Sequence, residues 1–360
     1  MKHDTAYKKA GVNYSLLDPV KLTAQKAAIL TKSNLKNSGF NETENSRGES
    51  AYIVESSDRY YAFVMEGLGT KNLIADEMTV QAGGKFYEGL AQDTVAMIIN
   101  DLITVGAKPL VINAYWAVGD ALWFQDEKKI ESLVNGWKKA CDLAGAAWGG
   151  GETPVLNKII YPGTIDLAGS AFGIIKPKKR MVSGNKIKAN DDIIFLASSG
   201  IHANGLSLAR KIANVSKNKM EIQKLLMQPT LIYSGIINKI LEAGIDIHYM
   251  VNITGHGWRK IMRAVNPFTY SIDEIGKVPY IFRILQSEAK LSDREMYSTF
   301  NMGAGFALIV NPKDSKKILK IVMANNSIAW LGGRVLHGKK QVNINPLGLT
   351  FSEDELQIRN

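Results

Sequence analysis

Apolar runs with strand composition alternate with segments of helical periodicity along nearly the whole chain. The predicted strands are 60–65, 109–116, 164–175, 192–197, 247–251 and 306–310. The predicted helices are 20–32, 87–105, 126–144, 204–213, 229–243, 257–265 and 315–325. Chains in which strands and helices alternate fold into α/β layers, and 360 residues exceed the length of one average domain. The pattern therefore predicts two α/β domains.

The most polar interruption near the middle of the chain is Lys176-Pro-Lys-Lys-Arg180, in which one proline lies among four basic residues. We place the domain boundary there, which gives an N-terminal domain over 1–175 and a C-terminal domain over 176–360. The polar stretch 37–50 is predicted to be a loop, and 333–340 is predicted to be a turn.

Composition excludes several classes of protein. With 46% apolar and 22% charged residues the chain is an ordinary globular sequence. The one cysteine, Cys141, excludes an intramolecular disulfide and every CxxC site. The first residues lack the apolar core of a signal peptide, and no apolar run reaches the ~18 residues of a membrane helix. We therefore expect a cytoplasmic protein with no membrane partner.

The formal charge of +10 favours an anionic partner. The lysines are dispersed along the chain, whereas a nucleic-acid surface gathers them with aromatic residues. Solvated surface lysines explain most of this charge, and attraction of small phosphorylated molecules is the alternative. We expect no nucleic-acid partner.

A glycine-rich segment, Glu66-Gly-Leu-Gly-Thr-Lys71, follows directly on a predicted strand. Its glycines allow backbone N–H groups to turn toward an anion, and Lys71 adds a positive charge. The Glu66 carboxylate is a suitable ligand for a metal ion. A plain glycine-rich turn is the alternative.

The next predicted helix places Asp93, Met97, Asn100 and Asp101 on one face, among apolar neighbours. Carboxylates at a buried surface are costly unless they are paired or bound to a cation, and hard oxygen ligands suit Mg²⁺. An incidental polar stripe on a solvated face is the alternative. Glu152, at the end of a glycine run, is a weaker candidate for a third acid.

In the second half, two loops lie between a predicted strand and a predicted helix. One is 198–207, with His202 inside it, and the other is Thr254-Gly-His-Gly257. Helix N-termini of this kind bind anions, and a loop histidine is a candidate general acid or base. A structural, hydrogen-bonding role for His202 is the alternative.

Taken in order, these segments resemble the phosphoribosylformylglycinamidine cyclo-ligase (aminoimidazole ribonucleotide synthetase) family over about residues 7 to 310. The matching segments are Tyr7-Lys-Lys-Ala-Gly-Val12, Gly67-Leu-Gly-Thr-Lys71, Asp101-Leu-Ile-Thr-Val-Gly-Ala-Lys-Pro109, Gly150-Gly-Glu-Thr153, 198–205, Asn252-Ile-Thr-Gly255 and 295–303. The resemblance implies a two-domain α/β (α+β) fold, with an N-terminal domain that forms a barrel with its twin in a homodimer and a C-terminal mixed-sheet domain. It implies ATP-dependent closure of formylglycinamidine ribonucleotide to aminoimidazole ribonucleotide in purine biosynthesis, with release of ADP and phosphate and with Mg²⁺ as the metal.

The resemblance also implies roles for individual residues. The ATP ligands would be Gly67, Gly69, Thr70, Lys71 and Asn100. The Mg²⁺ ligands would be Glu66, Asp93, Asp101 and Glu152. The substrate ligands would be Ser199, His202, Asn204, Thr254 and Gly255, with His202 and Lys71 as catalytic residues.

The chain departs from the family pattern at Glu66, Ile201 and His256, where the family usually has aspartate, proline and glycine. A sister enzyme such as thiamine-monophosphate kinase remains an alternative, as does a nucleotide-binding module without catalysis.

Overall fold

The computed structural model describes residues 10–11, 13–43, 46–82 and 86–356. Most of the first matching segment, residues 7–9 and 12, lies outside this part of the chain. The described residues form a mixed α/β structure with two sheets, each with its own helices.

The first sheet has six strands in the order β1-β2-β3-β6-β4-β5. Their bounds are β1 Asn41–Glu42, β2 Tyr52–Glu55, β3 Tyr60–Gly67, β4 Lys108–Val118, β5 Ala147–Glu152 and β6 Ile165–Ile175. Neighbouring strands are antiparallel except for β4 and β5. β3 pairs with β6 over its whole length, so that Glu66 lies opposite Gly169 at the end of the strand.

Five helices accompany the first sheet: α1 Tyr14–Ile29, α2 Ser33–Lys36, α3 Asn72–Ala82, α4 Tyr87–Ile103 and α5 Glu127–Ala144. α4 packs across β3, β6 and β4 and is apolar nearly all round, which explains why thirteen of its side chains are buried. α5 begins with Asp126 accepting a hydrogen bond from the Lys129 N–H and ends at Gly145 in the left-handed conformation. The helices cover one face of the sheet, and the other face exposes Phe63 and Met65.

The second sheet has seven strands in the order β13-β12-β9-β11-β7-β10-β8. Their bounds are β7 Asp192–Ala197, β8 Ile247–Asn252, β9 Thr269–Ile272, β10 Ala304–Val310, β11 Ala329–Leu336, β12 Gln341–Ile344 and β13 Leu349–Ser352. The strands β7 and β10 and the edge strand β8 are almost entirely buried, as expected for continuous apolar runs.

Six helices accompany the second sheet: α6 Leu206–Val215, α7 Lys219–Leu226, α8 Ser234–Glu242, α9 Tyr280–Ala289, α10 Asp293–Thr299 and α11 Pro312–Met323. A 3₁₀ segment, Gly257–Arg263, follows β8. Among the described residues, no helix has the length and apolar content that crossing a membrane requires.

The predicted elements are found, with four informative differences. The predicted helix 257–265 is a 3₁₀ segment, because His256 and Gly257 both have positive φ and break the entry into an α-helix. The predicted helix 229–243 starts only at Ser234. The glycine run 147–152 is an edge strand, and the first half of the predicted turn 333–340, residues 333–336, belongs to β11.

The short strands β1, β9, β12 and β13 have no predicted counterpart, because two to four residues are too few for a periodic signal. The placement of the domain boundary at 175/176 stays a prediction.

Candidate functional site

A cleft of about 340 Å³ lies between the two halves of the chain. Five of the predicted site residues line it: Glu66, Asp101, Asn204, Thr254 and Gly255. The remaining wall residues are Lys21, Gln25, Gly48, Glu49, Ser50, Met97, Asn252, His256, Lys260 and Arg263. Residues from both halves therefore converge on one space, as the sequence motifs suggested.

Two carboxylates form the acidic side of the cleft. Glu66 stands at the end of β3, and Asp101 lies in the last turn of α4, where its Oδ1 accepts a hydrogen bond of 2.7 Å from Asn252 Nδ2. Burial and the nearby charge of Asp101 raise the pKa of Glu66 to about 7. Two acids held this close in a sheltered space favour a divalent cation between them.

Basic side chains form the opposite side. Lys260 donates a hydrogen bond of 2.5 Å to Thr254 Oγ1, and burial lowers the pKa of this lysine. Arg263 donates to the Gly48 carbonyl at 2.8 Å and to Ser50 Oγ at 2.7 Å. The arginine thus holds the loop before β2 against the second half, and the charges of Lys260 and Arg263 are close enough to oppose the rise in the pKa of Glu66.

The turn after β8 connects these groups. The Gly255 N–H donates to Asn204 Oδ1 at 3.1 Å, so the predicted substrate loops 198–207 and 254–257 are in contact with each other. This arrangement places Thr254, Gly255 and Asn204 on the same stretch of cleft wall.

Lys71 and Asp93, which were expected to bind phosphate and metal, do not line the cleft. Both side chains are completely buried, and Lys71 Nζ lies 2.7 Å from Asp93 Oδ2. Asp93 Oδ1 accepts hydrogen bonds from the N–H and the Oγ1 of Thr230. Lys71 also donates to the carbonyls of His202 and Gln228. In this arrangement neither side chain has room for an ATP phosphate or a metal ion.

Asn100, an expected ATP ligand on the same helix as Asp93, likewise does not line the cleft, and its side chain is hydrogen-bonded to backbone groups. Its Nδ2 donates to the Leu231 carbonyl at 2.8 Å, and its Oδ1 accepts from the Tyr233 N–H at 3.0 Å. Together with Asp93 it binds the backbone of the segment before α8. These bonds occupy the backbone groups of that segment at Thr230, Leu231 and Tyr233, which explains why the helix begins late.

His202 is buried and does not line the cleft, so the expected proton shuttle is not supported. Its Nε2 accepts a hydrogen bond of 3.2 Å from the Ser199 N–H. Burial, together with the charge of Lys71, lowers the pKa of His202 to about 3, and the ring is neutral at pH 7. Ser199 Oγ donates to the Pro229 carbonyl at 2.5 Å, so this hydroxyl is also occupied. The structural alternative for His202 is the one that the contacts favour.

The glycine-rich segment retains features that fit a phosphate. Gly69 has φ +73° with open space where a Cβ would stand, and the buried Thr70 Oγ1 has no hydrogen-bond partner among the described residues. Gly67 ends β3. An unpaired buried hydroxyl beside a left-handed glycine can bind an anion at low cost.

Glu152 lies on β5, whose six residues are all exposed, and it does not line the cleft. Within the described part of the chain, no group of three or more histidine, cysteine, aspartate and glutamate side chains could hold a metal ion. Glu66 and Asp101 are therefore the pair that the structure brings together.

Sequence reasoning missed Lys21, Asn252, Lys260 and Arg263. The spacing of Lys260 and Arg263, three residues apart just after the Thr254 turn, was a usable signal, because it places both side chains on one side of a helical turn. Lys21 had no such signal, since its helix reaches the cleft only through tertiary contacts.

Comparison with known proteins identifies the fold and the family. Residues 48–175 match the family model "AIR synthase related protein, N-terminal domain", and residues 188–344 match "AIR synthase related protein, C-terminal domain".

Among solved structures, the chain is similar to a HypE–HypF complex, with a TM-score of 0.61 and 18% identity, covering 84% of this chain and 92% of that chain. It is also similar to T. maritima PurL complexed with FGAR, with a TM-score of 0.59 and 16% identity, covering 88% of this chain and 49% of that chain. At these identities the likeness shows the fold alone.

Curated relatives are more similar in sequence. The chain is 36% identical to the phosphoribosylformylglycinamidine cyclo-ligase of Carboxydothermus hydrogenoformans, over 78% of this chain and 82% of the relative. It is 33% identical to the enzyme of the same name from Caldicellulosiruptor bescii, over 94% of this chain and 99% of the relative. The chain therefore belongs to the phosphoribosylformylglycinamidine cyclo-ligase family.

Proposed function

We propose that this chain is the ATP-dependent cyclo-ligase that closes formylglycinamidine ribonucleotide to aminoimidazole ribonucleotide, with release of ADP and phosphate. The observation that supports it best is the cleft between the halves, where Glu66 and Asp101 face Lys260 and Arg263. A site that binds a phosphorylated substrate beside a metal-bound triphosphate needs this combination of charges.

The reaction has a simple chemical logic. The amide oxygen of the substrate is a poor leaving group, so it attacks the γ-phosphorus of ATP and ADP departs. The amidine nitrogen then attacks the activated carbon, and phosphate leaves with the former amide oxygen. The protein contributes mainly position and charge neutralisation.

Glu66 and Asp101 are the proposed Mg²⁺ ligands. Mg²⁺ is commonly held by one or two carboxylates together with substrate phosphates, so two acids suffice. When bound, the ion would neutralise charge on the triphosphate. Glu152 remains a proposed additional ligand, from an exposed strand outside the cleft wall.

Gly67, Gly69 and Thr70 are the proposed contacts for the ATP phosphates. The left-handed Gly69 and the unpaired hydroxyl of Thr70 support this role. Asn204, Thr254 and Gly255 are the proposed substrate contacts, and the hydrogen bond from Lys260 to Thr254 brings a positive charge to that place.

A homodimer is part of the same proposal. The face of the first sheet opposite the helices exposes Phe63 and Met65, and Phe172 packs against Phe63 with 5.1 Å between ring centroids. Exposed apolar side chains in one contiguous patch indicate a surface that another molecule covers. A second copy that stacks this face against its own would form the barrel that the family resemblance implies.

The alternatives are not favoured. The curated relatives at 33–36% identity are named as cyclo-ligases. The solved structure that bears on the thiamine-monophosphate kinase alternative, AaThiL complexed with AMPPCP and TMP, is only 13% identical to this chain. We propose a cytoplasmic location because the reaction consumes ATP.

The test is a coupled assay of the purified chain with formylglycinamidine ribonucleotide, ATP and Mg²⁺, in which ADP and aminoimidazole ribonucleotide are measured together. We expect one ADP for each ring closed. Thiamine monophosphate in place of the ribonucleotide is the control and should release no ADP above background. Phosphorylation of thiamine monophosphate without any ring closure would overturn the proposal.

A further inference from the structure

Helix α1 lies over the cleft but contributes little to the hydrophobic core. Of its side chains that the structure describes, only Asp18 is buried. Leu22 and Gln25 are half-buried on the same side of the helix, at helical spacing from Asp18. The position of α1 thus depends strongly on what Asp18 contacts.

Asp18 lies between one residue of the second half and one residue of its own helix. Its Oδ2 is 3.6 Å from His256 Nε2, and its Oδ1 is 3.5 Å from Lys21 Nζ. His256 is buried and has φ +70°, a left-handed conformation that residues other than glycine seldom adopt. Backbone strain of this kind is concentrated at functional sites. Here the strained backbone directs the His256 ring toward α1.

Lys21 and Gln25 belong to the cleft wall, next to the cations of the second half. The charge of Lys21 is close enough to lower the pKa values of both His256 and Lys260. Lys260 in turn donates to Thr254, the proposed phosphate contact of the substrate. The proposed ATP contacts Gly67, Gly69 and Thr70 do not line this cleft. Lys21 therefore shares the cleft with Lys260 and Thr254, and its charge also acts on Glu66, the proposed Mg²⁺ ligand.

We infer that Lys21 binds the phosphate of the ribonucleotide substrate together with Lys260, and that His256 is a positioning residue that holds α1 in place through Asp18. This inference rests on the proposed function, because it takes the ribonucleotide as the substrate. It assigns to the N-terminal helix a part in substrate binding that neither the motifs nor the family match had indicated.

The test compares Lys21→Ala with Lys26→Ala, since Lys26 is exposed on the same helix and does not line the cleft. Loss of one charge-assisted hydrogen bond should raise the KM for formylglycinamidine ribonucleotide about tenfold in Lys21→Ala. The KM for ATP and the kcat should change less than about twofold, because the lost contact is to the other substrate. Lys26→Ala should match the wild type, and Lys21→Arg should restore most of the affinity.

His256→Gly tests the positioning role. Glycine accepts the left-handed backbone without strain, so the midpoint of thermal unfolding should be unchanged or higher. The KM for the ribonucleotide should nevertheless rise severalfold. In a Lys21→Ala background the same substitution should add nothing further, since it acts through Lys21.

The outcomes are distinct. An inactive wild type would contradict the proposed function, whereas an active wild type with an unchanged ribonucleotide KM in Lys21→Ala would contradict only this inference. A rise in the KM for ATP instead would place Lys21 at the triphosphate and also overturn it. Additive effects of His256→Gly and Lys21→Ala would exclude the positioning role.

Discussion

The ammonium of Lys71 lies 2.7 Å from the carboxylate of Asp93, and both side chains are completely buried. Burial lowers the pKa of Lys71 and raises that of Asp93, while the charge of each partner opposes the shift of the other. The pair also binds the backbone at Gln228 and Thr230 in the second half. Two residues that the motifs assign to the nucleotide thus connect the two halves of the molecule.

The buried pair predicts a strongly non-additive effect on stability. Lys71→Met should lower the free energy of unfolding by about 3–5 kcal/mol, because Asp93 is left as an uncompensated buried charge. Adding Asp93→Asn should recover much of this loss, since the amide oxygen can still accept the hydrogen bonds of Thr230. Urea denaturation of the single and double variants measures the coupling.

Lys138 and Asp142 are the matched control, because their ion pair has the same 2.7 Å separation but is exposed. Lys138→Met should cost at most about 1 kcal/mol. Equal costs for the two lysines would contradict the structural role of the buried pair.

The acidic side of the cleft predicts a dependence on Mg²⁺. Asp101→Asn and Glu66→Gln should each lower kcat/KM at least about 100-fold at limiting Mg²⁺, because either change removes a charge that would hold the ion. Titration of activity with Mg²⁺ should show a higher half-saturating concentration in both variants. Asp142→Asn removes an exposed carboxylate that does not line the cleft and should have no effect. Normal Mg²⁺ titrations in both cleft variants would exclude these acids as ligands.

The open face of the first sheet predicts a dimer that one charge can disrupt. Met65 is 74% exposed on β3, so Met65→Glu should leave the monomer folded. Association of two such faces should become unfavourable, because it would bury the new carboxylate charge. Analytical ultracentrifugation should show a dimeric wild type and a monomeric variant. Val80 on α3 is 88% exposed on a helix, and Val80→Glu should remain dimeric. A monomeric wild type at micromolar concentration would rule out this interface.

The burial of His202 predicts a loss of stability in mild acid. Its pKa falls from an ordinary 6.5 to about 3 in the folded protein, so the unfolded chain binds a proton that the folded chain does not. The stability should therefore decline as the pH falls from 6.5 toward 3, by about 1 kcal/mol between pH 6.5 and 5.5 and by about 1.4 kcal/mol for the next pH unit. Urea unfolding across this range should show a shallower decline in His202→Gln, whose amide can still accept the Ser199 hydrogen bond. The exposed His337 provides the control, and an equal slope in His337→Gln and His202→Gln would contradict the assignment.

Much of the fold follows from local sequence signals. The strand 192–197 and the helix that ends before Gly145 are found as predicted, because an apolar run and a glycine C-terminal stop are local features. The helical start at Ser234 could not be predicted, because the backbone of the preceding residues is hydrogen-bonded by Asp93 and Asn100 from a distant helix.

The candidate site, too, could be predicted from the sequence only in part. The sequence alone determined that Glu66 and Asp101 are acids at element ends, and that Thr254 and Gly255 follow a strand. Only the tertiary structure decided that Asp93 on the same helix face turns into a buried ion pair while Asp101 faces the cleft. Residues on one face of a helix point the same way, but each can contact a different part of the protein. Whether such a carboxylate is buried against a lysine or lines a cleft depends on the elements that pack against it. The place of Lys21 in the cleft wall also depends on tertiary contacts, because the contact between Asp18 and His256 spans more than two hundred residues of sequence.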